Sequence, residues 1–346
     1  MLPTCIVHKQ RKFQVEWDAE EYFHHLGKRN FGLQEDFEAS MLQRFPPIKL
    51  SQYLLPTNAA RSSVITNPFI ITDIKDHIIL WFLPGIFTPS RQDAIMKAMN
   101  GLKLALSKPK QVTGWGTDTK YYKSDADGGV LNVSPTWHAQ AHEASLTPDD
   151  LVWVTPLLWC WEGPVQQWLC ESETSFRLVD ALLTIVHPEL YRRSSAVREQ
   201  LLADEEIMDL HELIRAWPTL FTAISVVYNR ETPFHRDSKL VPQWYDLFLS
   251  VGSYTDAVLE LPTLGIHAHY MPGTAALFSG LLLRHGVSPV DQGDRIGYVF
   301  YMRPSMFHFA SISLGKWVKY SSLSTLYNSH NNFTKNNVMH PPHFLE

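Results

Sequence analysis

The stretch YNRETPFHRDSKL, residues 228–240, brackets an arginine with a histidine and an aspartate just after an apolar run. If the backbone there stays extended, His235 and Asp237 project to one face, because side chains alternate along a strand. One imidazole and one carboxylate can then bind the same ion. A third donor must arrive on that face from another strand, so the reading of this short stretch carries a β-rich fold with it.

The segment MPGTAALFSGLLLRHGVSPVDQGDRIGYVFYMR, residues 271–303, offers that donor. His285 follows a turn, an apolar strand and a second glycine, and Arg295 stands ten residues later at the mouth of another apolar strand. Two histidines and one carboxylate with open positions left form the facial set of non-haem Fe(II) oxygenases. A cosubstrate such as 2-oxoglutarate would chelate the iron through its 1-carboxylate and keto oxygen, before O2 binds. Its distal carboxylate then needs a bidentate guanidinium, the role expected of Arg295. His267 and His269 in GIHAHYM also alternate onto one face and are rivals to His285, but the glycine turn and the trailing arginine accompany His285. His138 and His142 in WHAQAHE stand at i, i+4, a zinc spacing if helical, yet without the glutamate of a zinc protease they read as a helix face.

Working outward, the texture after Pro218 is one of short strand-like runs separated by Gly, Pro, Asp and Ser: LFTAISVVYN, YDLFLSVGS, AVLELPTLGI, GTAALFSGLLL and RIGYVFYMR. That rhythm predicts an antiparallel sandwich or barrel. Upstream, HIILWFLPGIF (77–87) predicts a buried strand ending in a turn, and TPSRQDAIMKAMNGLKLAL (88–106) a helix with a polar N-cap. A helical zone over 146–216 and an amphipathic helix around WDAEEYFHHLGKRNF (17–31) complete an α+β chain. Trp153, Trp159, Trp161 and Trp168 are expected in the core or at domain contacts. The organisation expected is an N-terminal appendage (1–75), a main domain (76–320) and a C-terminal tail (321–346).

With 346 residues, 45% hydrophobic and 19% charged, the chain can bury a sizeable core and shows no bias towards disorder. No apolar run reaches a spanning length, so no membrane partner is expected. The N-terminus turns charged before a signal-like core forms, and three cysteines lack metal-knuckle spacing, so an intracellular location is expected. A net charge of −5 confines any nucleic-acid site to a patch. The loop within residues 101–129 interleaves Lys108, Lys110, Lys120 and Lys123 with Trp115, Tyr121 and Tyr122, suited to phosphates and bases.

Taken together, HRD at 235–237, His285, Arg295 and Arg230 resemble the TET/JBP family of Fe(II) and 2-oxoglutarate-dependent nucleobase dioxygenases, and look most like its fungal branch. LWFLPGIF at 80–87 is similar to the strand entering that family's core. The resemblance covers roughly 77–320, with specific motifs in 228–303. It implies a double-stranded β-helix of jelly-roll type flanked by helices, Fe(II) and 2-oxoglutarate as cofactors, and Arg230 near the 1-carboxylate end of the cosubstrate. It also implies double-stranded DNA carrying a methylated base as partner, a monomeric enzyme and a nuclear location. Family members acting on 5-methylcytosine usually carry Asn or Asp shortly after the H-x-D motif, whereas Ser238, Lys239 and Leu240 follow here. N6-methyladenine therefore stands beside 5-methylcytosine as the expected base. Arg303, an even eight residues beyond Arg295, is expected on the same face, towards the base or its phosphate.

Overall fold

The computed structural model describes residues 10–27, 34–48, 64–106, 118–123, 128–136, 154–238 and 240–323. Lys108, Lys110, Trp115, His138, His142 and Trp153 lie outside these residues, as does nearly all of the tail. From residue 223 onward the strands are β6 (Ala223–Tyr228), β7 (Thr232–His235), β8 (Asp246–Gly252), β9 (Val258–Leu261), β10 (Ile266–His269), β11 (Thr274–Phe278), β12 (His285–Val287) and β13 (Arg295–Tyr301). Pairing is antiparallel throughout this set. One sheet runs β11-β8-β13-β6 and the other β10-β9-β12-β7. The chain switches sheets between most consecutive strands, which is the winding of a double-stranded β-helix.

The larger sheet is widened at one edge by β1 (Arg11–Gln14), β3 (Phe69–Thr72) and β4 (Ile78–Leu83), and at the other by β5 (Gly129–Val133). The smaller sheet gains β2 (Val64–Ile65), parallel to β10. Period-two alternation then sorts the larger sheet's side chains into two cores. On β13, Ile296, Tyr298 and Phe300 face the helices α3 (Pro89–Leu102), α4 (Pro164–Val186) and α5 (Pro188–Ala203). Val299 packs into the space between the sheets with Phe248, Ala276 and Phe278. Trp168 of α4 is fully buried against Phe176 and Tyr298, so truncating it to alanine would cost on the order of 3–5 kcal/mol.

Two expectations change in detail. TPLLWCW is not part of an α-helix but forms a 3-10 turn at Pro156–Trp159, with α4 starting at Pro164; Trp159 and Trp161 are about half exposed rather than in the core. GTAALFSGLLL is a strand only to Phe278, because the Ser279 carbonyl accepts from Leu282 and Leu283 and turns the chain. Among the described residues, no helix is long and apolar enough to cross a membrane.

The N-terminal segment is fastened at a polar knot. The Asp73 carboxylate accepts from the backbone of Ala19 (3.0 Å), Lys75 (2.9 Å) and His77 (2.7 Å) and from His77 Nδ1 (2.9 Å). Asp18 caps α1 (Ala19–Leu26) through the Glu20 amide and pairs with Lys75 at 2.5 Å. Next comes α2 (Gln34–Arg44); α6 (His211–Ala216) and α7 (Pro304–Phe309) complete the helices described.

Candidate metal centre

His235 ends β7 and His285 begins β12, and the two residues are directly paired across the smaller sheet, with ring centroids 4.2 Å apart. Asp237 follows two residues later. Its amide donates to the Gly280 carbonyl at 2.9 Å, which brings the carboxylate under both rings. Asp237 Oδ1 lies 3.5 Å from His235 Nε2 and Oδ2 lies 3.8 Å from His285 Nε2. One donor atom from each of the three residues falls within 4.8 Å of the others. Ligands bound ~2.1 Å from a shared ion would stand roughly 3–4 Å apart, so the set fits one metal.

The backbone fixes which nitrogen faces inward. His235 Nδ1 donates to the Pro233 carbonyl and His285 Nδ1 to the Leu283 carbonyl, each at 2.9 Å. A carbonyl only accepts, so Nδ1 carries the proton and Nε2 keeps its lone pair. Burial also pushes the His285 imidazole down to about 4, which keeps it neutral at physiological pH. Burial raises the Asp237 carboxyl, but the adjoining His235 and His285 outweigh that and hold it below its ordinary value. The aromatic rings of Phe248 and Phe278 stand edge-on to His285, both at 5.2 Å, and wall off its far side.

Gly280 is the floor of this cradle. A Cβ there would come within 2.1 Å of Asp237 Oδ2. Its amide donates to Asp246 Oδ2 at 2.9 Å, and burial together with the Asp237 charge raises the Asp246 carboxyl well above the usual range.

Arg295 opens β13 and is buried, with its guanidinium 5.6 Å from the Tyr270 ring. Nη1 reaches the Arg230 carbonyl at 3.3 Å, Nε has no hydrogen-bond partner, and among the described residues no carboxylate pairs with the group. A buried cation in that condition needs an anion. Beside it lies a cavity of about 200 Å³ lined by Arg230, Lys120, Lys123, Tyr122 and Asn229 among others. Residues 118–123 run along the β6–β7 junction: Tyr122 bridges Arg230, and Glu231 donates to the Tyr121 carbonyl at 2.8 Å. Lys120 and Lys123, expected from sequence at phosphates, thus line the cavity of Arg295.

Arg303 lies two residues beyond the end of β13, in the extended residue that caps α7. Arg295 opens the strand, and Val299, four residues on, pairs with Phe248, the residue against His285. Arg295 therefore stands ~13 Å along the strand from that level. Arg303 is buried, its amide donates to Thr222 Oγ1 at 2.8 Å, and its guanidinium lies 5.2 Å from the Tyr301 ring. His267 and His269 project from the opposite face of β10, where they meet Glu260 and the Thr255 carbonyl, away from the cluster.

Sequence reasoning missed the partly uncovered floor beside the cluster. Asn132 and Ser225 are paired across β5 and β6 in the same cross-sheet row as Val299 and Phe248, and Ser225 Oγ donates to Asn132 Oδ1. The alternation of FTAISVVYN, which separates Ser225 from Ile224 and Val226, was the available signal.

Residues 166–304 match the family model of the oxygenase domain of the 2OGFeDO superfamily, Tet_JBP. Among solved structures, the chain is similar to NgTET1 in complex with 5mC DNA, at 14% identity and a TM-score of 0.48 over 79% of this chain and 89% of that one. It is also similar to OsALKBH1, at 12% identity and a TM-score of 0.30 over 65% of this chain and 96% of that one. No curated protein sequence matches the chain.

Proposed function

With residues 166–304 as a TET/JBP-like oxygenase domain, we propose that the protein is an Fe(II)- and 2-oxoglutarate-dependent dioxygenase that oxidises the methyl group of a modified base in DNA. The observation that carries this reading is the convergence of His235, Asp237 and His285 beside the row in which Phe248 pairs with Val299 of β13, the strand that Arg295 opens. His235, Asp237 and His285 would hold the iron. When bound with 2-oxoglutarate and O2, the iron supplies oxidation of a methyl C–H bond to the alcohol, with 2-oxoglutarate leaving as succinate and CO2.

The chain's own work is to orient and to exclude. The Pro233 and Leu283 carbonyls hold both imidazoles with Nε2 inward, and Phe248 and Phe278 keep water from His285. Arg295 takes the distal carboxylate of 2-oxoglutarate through its fork, and Arg230 lines the same cavity. On the other side, Asn132 and Ser225 offer amide and hydroxyl groups to the edge of a base rotated out of the duplex, with Arg303 beyond them. An oxidised N6-methyladenine would lose formaldehyde, whereas an oxidised 5-methylcytosine would keep its hydroxyl.

The test is anaerobic loading with Fe(II) and 2-oxoglutarate, admission of O2, and mass analysis of nucleosides from duplexes carrying either base. Hydroxymethyl- or demethylated nucleoside matched by succinate is expected. Succinate without any base product would move the substrate to a protein or small molecule, and no succinate with any substrate would reject the oxygenase reading.

A further inference from the structure

Arg236, between two of the metal-site residues, has a job of its own. Its side chain leaves the cluster in the opposite direction and meets Glu38 of α2, with Nε 3.2 Å from Oε1 and Nη2 2.8 Å from Oε2. The pair is largely buried, with side-chain exposures of 14% and 9%. Nη2 also donates to the Tyr22 hydroxyl of α1 at 2.7 Å, and Nη1 donates to the Leu282 carbonyl. The next carbonyl, Leu283, is the one that orients His285. Thr263 Oγ1 accepts from Arg236 at 3.4 Å and from the Arg284 amide at 3.0 Å, which ties in the residue just before His285. One guanidinium thus grips both chain segments that bear the cluster, and is itself gripped by two N-terminal helices. Glu38 and Tyr22 lie outside the segment matched to the oxygenase family.

We propose that Glu38 and Arg236 are positioning residues of the metal centre, so that helices α1 and α2 set its metal affinity. Resting on the ligand reading above, this adds that the ligand segments take their spacing from a bidentate ion pair with a residue 198 positions away in the chain. Loss of one carboxylate oxygen as an ionic partner would free the guanidinium to shift, and with it the 235–237 and 282–285 backbones. A partner of an outer kind typically changes metal affinity by roughly tenfold to a hundredfold.

The experiment titrates the full-length apo chain with Co(II), reading the visible absorption bands of the bound ion, for the parent, Glu38→Gln, Tyr22→Phe and Arg44→Gln. Glu38→Gln is expected to stay folded by circular dichroism, bind Co(II) roughly tenfold or more weakly, and shift the band intensities that report ligand geometry. Arg44→Gln, which removes an exposed pair between α2 and Glu21 of α1 and a cation–π contact with Phe45 but touches none of the Arg236 partners, should match the parent. A lower melting temperature with unchanged Co(II) affinity and spectrum in Glu38→Gln would overturn the proposal and leave the pair a fastening alone. Should Glu38→Gln fail to fold, Tyr22→Phe decides: weaker binding by about threefold supports it and parental affinity overturns it. Absence of Co(II) uptake by the parent would instead sink the ligand reading on which the proposal stands.

Discussion

Among the described residues, two clusters bring histidine and carboxylate groups together so that donor atoms lie within 4.8 Å of one another: His235, Asp237 and His285 between the sheets, and Asp18, Asp73 and His77 beneath the N-terminal segment. Residue type alone would nominate both for a metal. In the second, Asp73 accepts four hydrogen bonds from the chain, His77 spends its Nδ1 on Asp73, and Lys75 already neutralises Asp18. In the first, each histidine turns its outer nitrogen to a carbonyl, and the inner nitrogens lie 3.5 and 3.8 Å from the Asp237 carboxylate oxygens. What separates a ligand set from a fastening is where the protons and lone pairs have gone.

The sharpest break would come from the two aspartates. Asp237→Ala should abolish turnover and weaken metal binding by more than about a hundredfold while the protein stays folded, because a chelate of three loses a member. Asp73→Asn should do the reverse: it strands buried donors, costs on the order of 3–5 kcal/mol of stability, and leaves the folded fraction binding one equivalent of metal. A second equivalent lost with Asp73→Asn would erase the distinction. A smaller effect is expected at Arg295, which serves only the first cluster. Arg295→Lys keeps the charge and loses the fork, so the apparent affinity for 2-oxoglutarate should fall about tenfold (~1.4 kcal/mol) before DNA affinity changes; equal cosubstrate affinity would remove that role. Smallest of all, Lys75→Met takes an exposed cation from the second cluster, and melting temperature, metal content and turnover should all stay close to parental values. A large loss of turnover there would connect the knot to the chemistry.

Much of the site was legible because alternation is local. The two-residue spacing of His235 and Asp237 and the strand rhythm after Pro218 both follow from side chains taking turns on a pleated backbone. The choice between His285 and the IHAH pair needed burial: Ile266 and Ala268 claim the inward face of β10 and turn His267 and His269 outward. Glu38 was invisible as a partner of Arg236, since nothing local marks an ion pair between a helix and a strand end so distant in the chain. The lysines at 120 and 123 were read by composition, which reports charge but not the wall it lines; the bridge from Tyr122 to Arg230 decides that. Asn132 and Ser225 were present in plain alternation, and only the sheet order shows that their row continues to the residue packed on His285.

The hydrogen at Gly280 has a consequence for how activity can be lost. Since any Cβ there would fall on Asp237 Oδ2, a one-letter change to alanine would displace the carboxylate while every ligand remained in the sequence. A chain could keep His235, Asp237, His285 and Arg295 and be inert, so an inventory of ligands does not certify an enzyme of this shape, whereas the ligands together with a side-chain-free position 280 come much nearer to doing so.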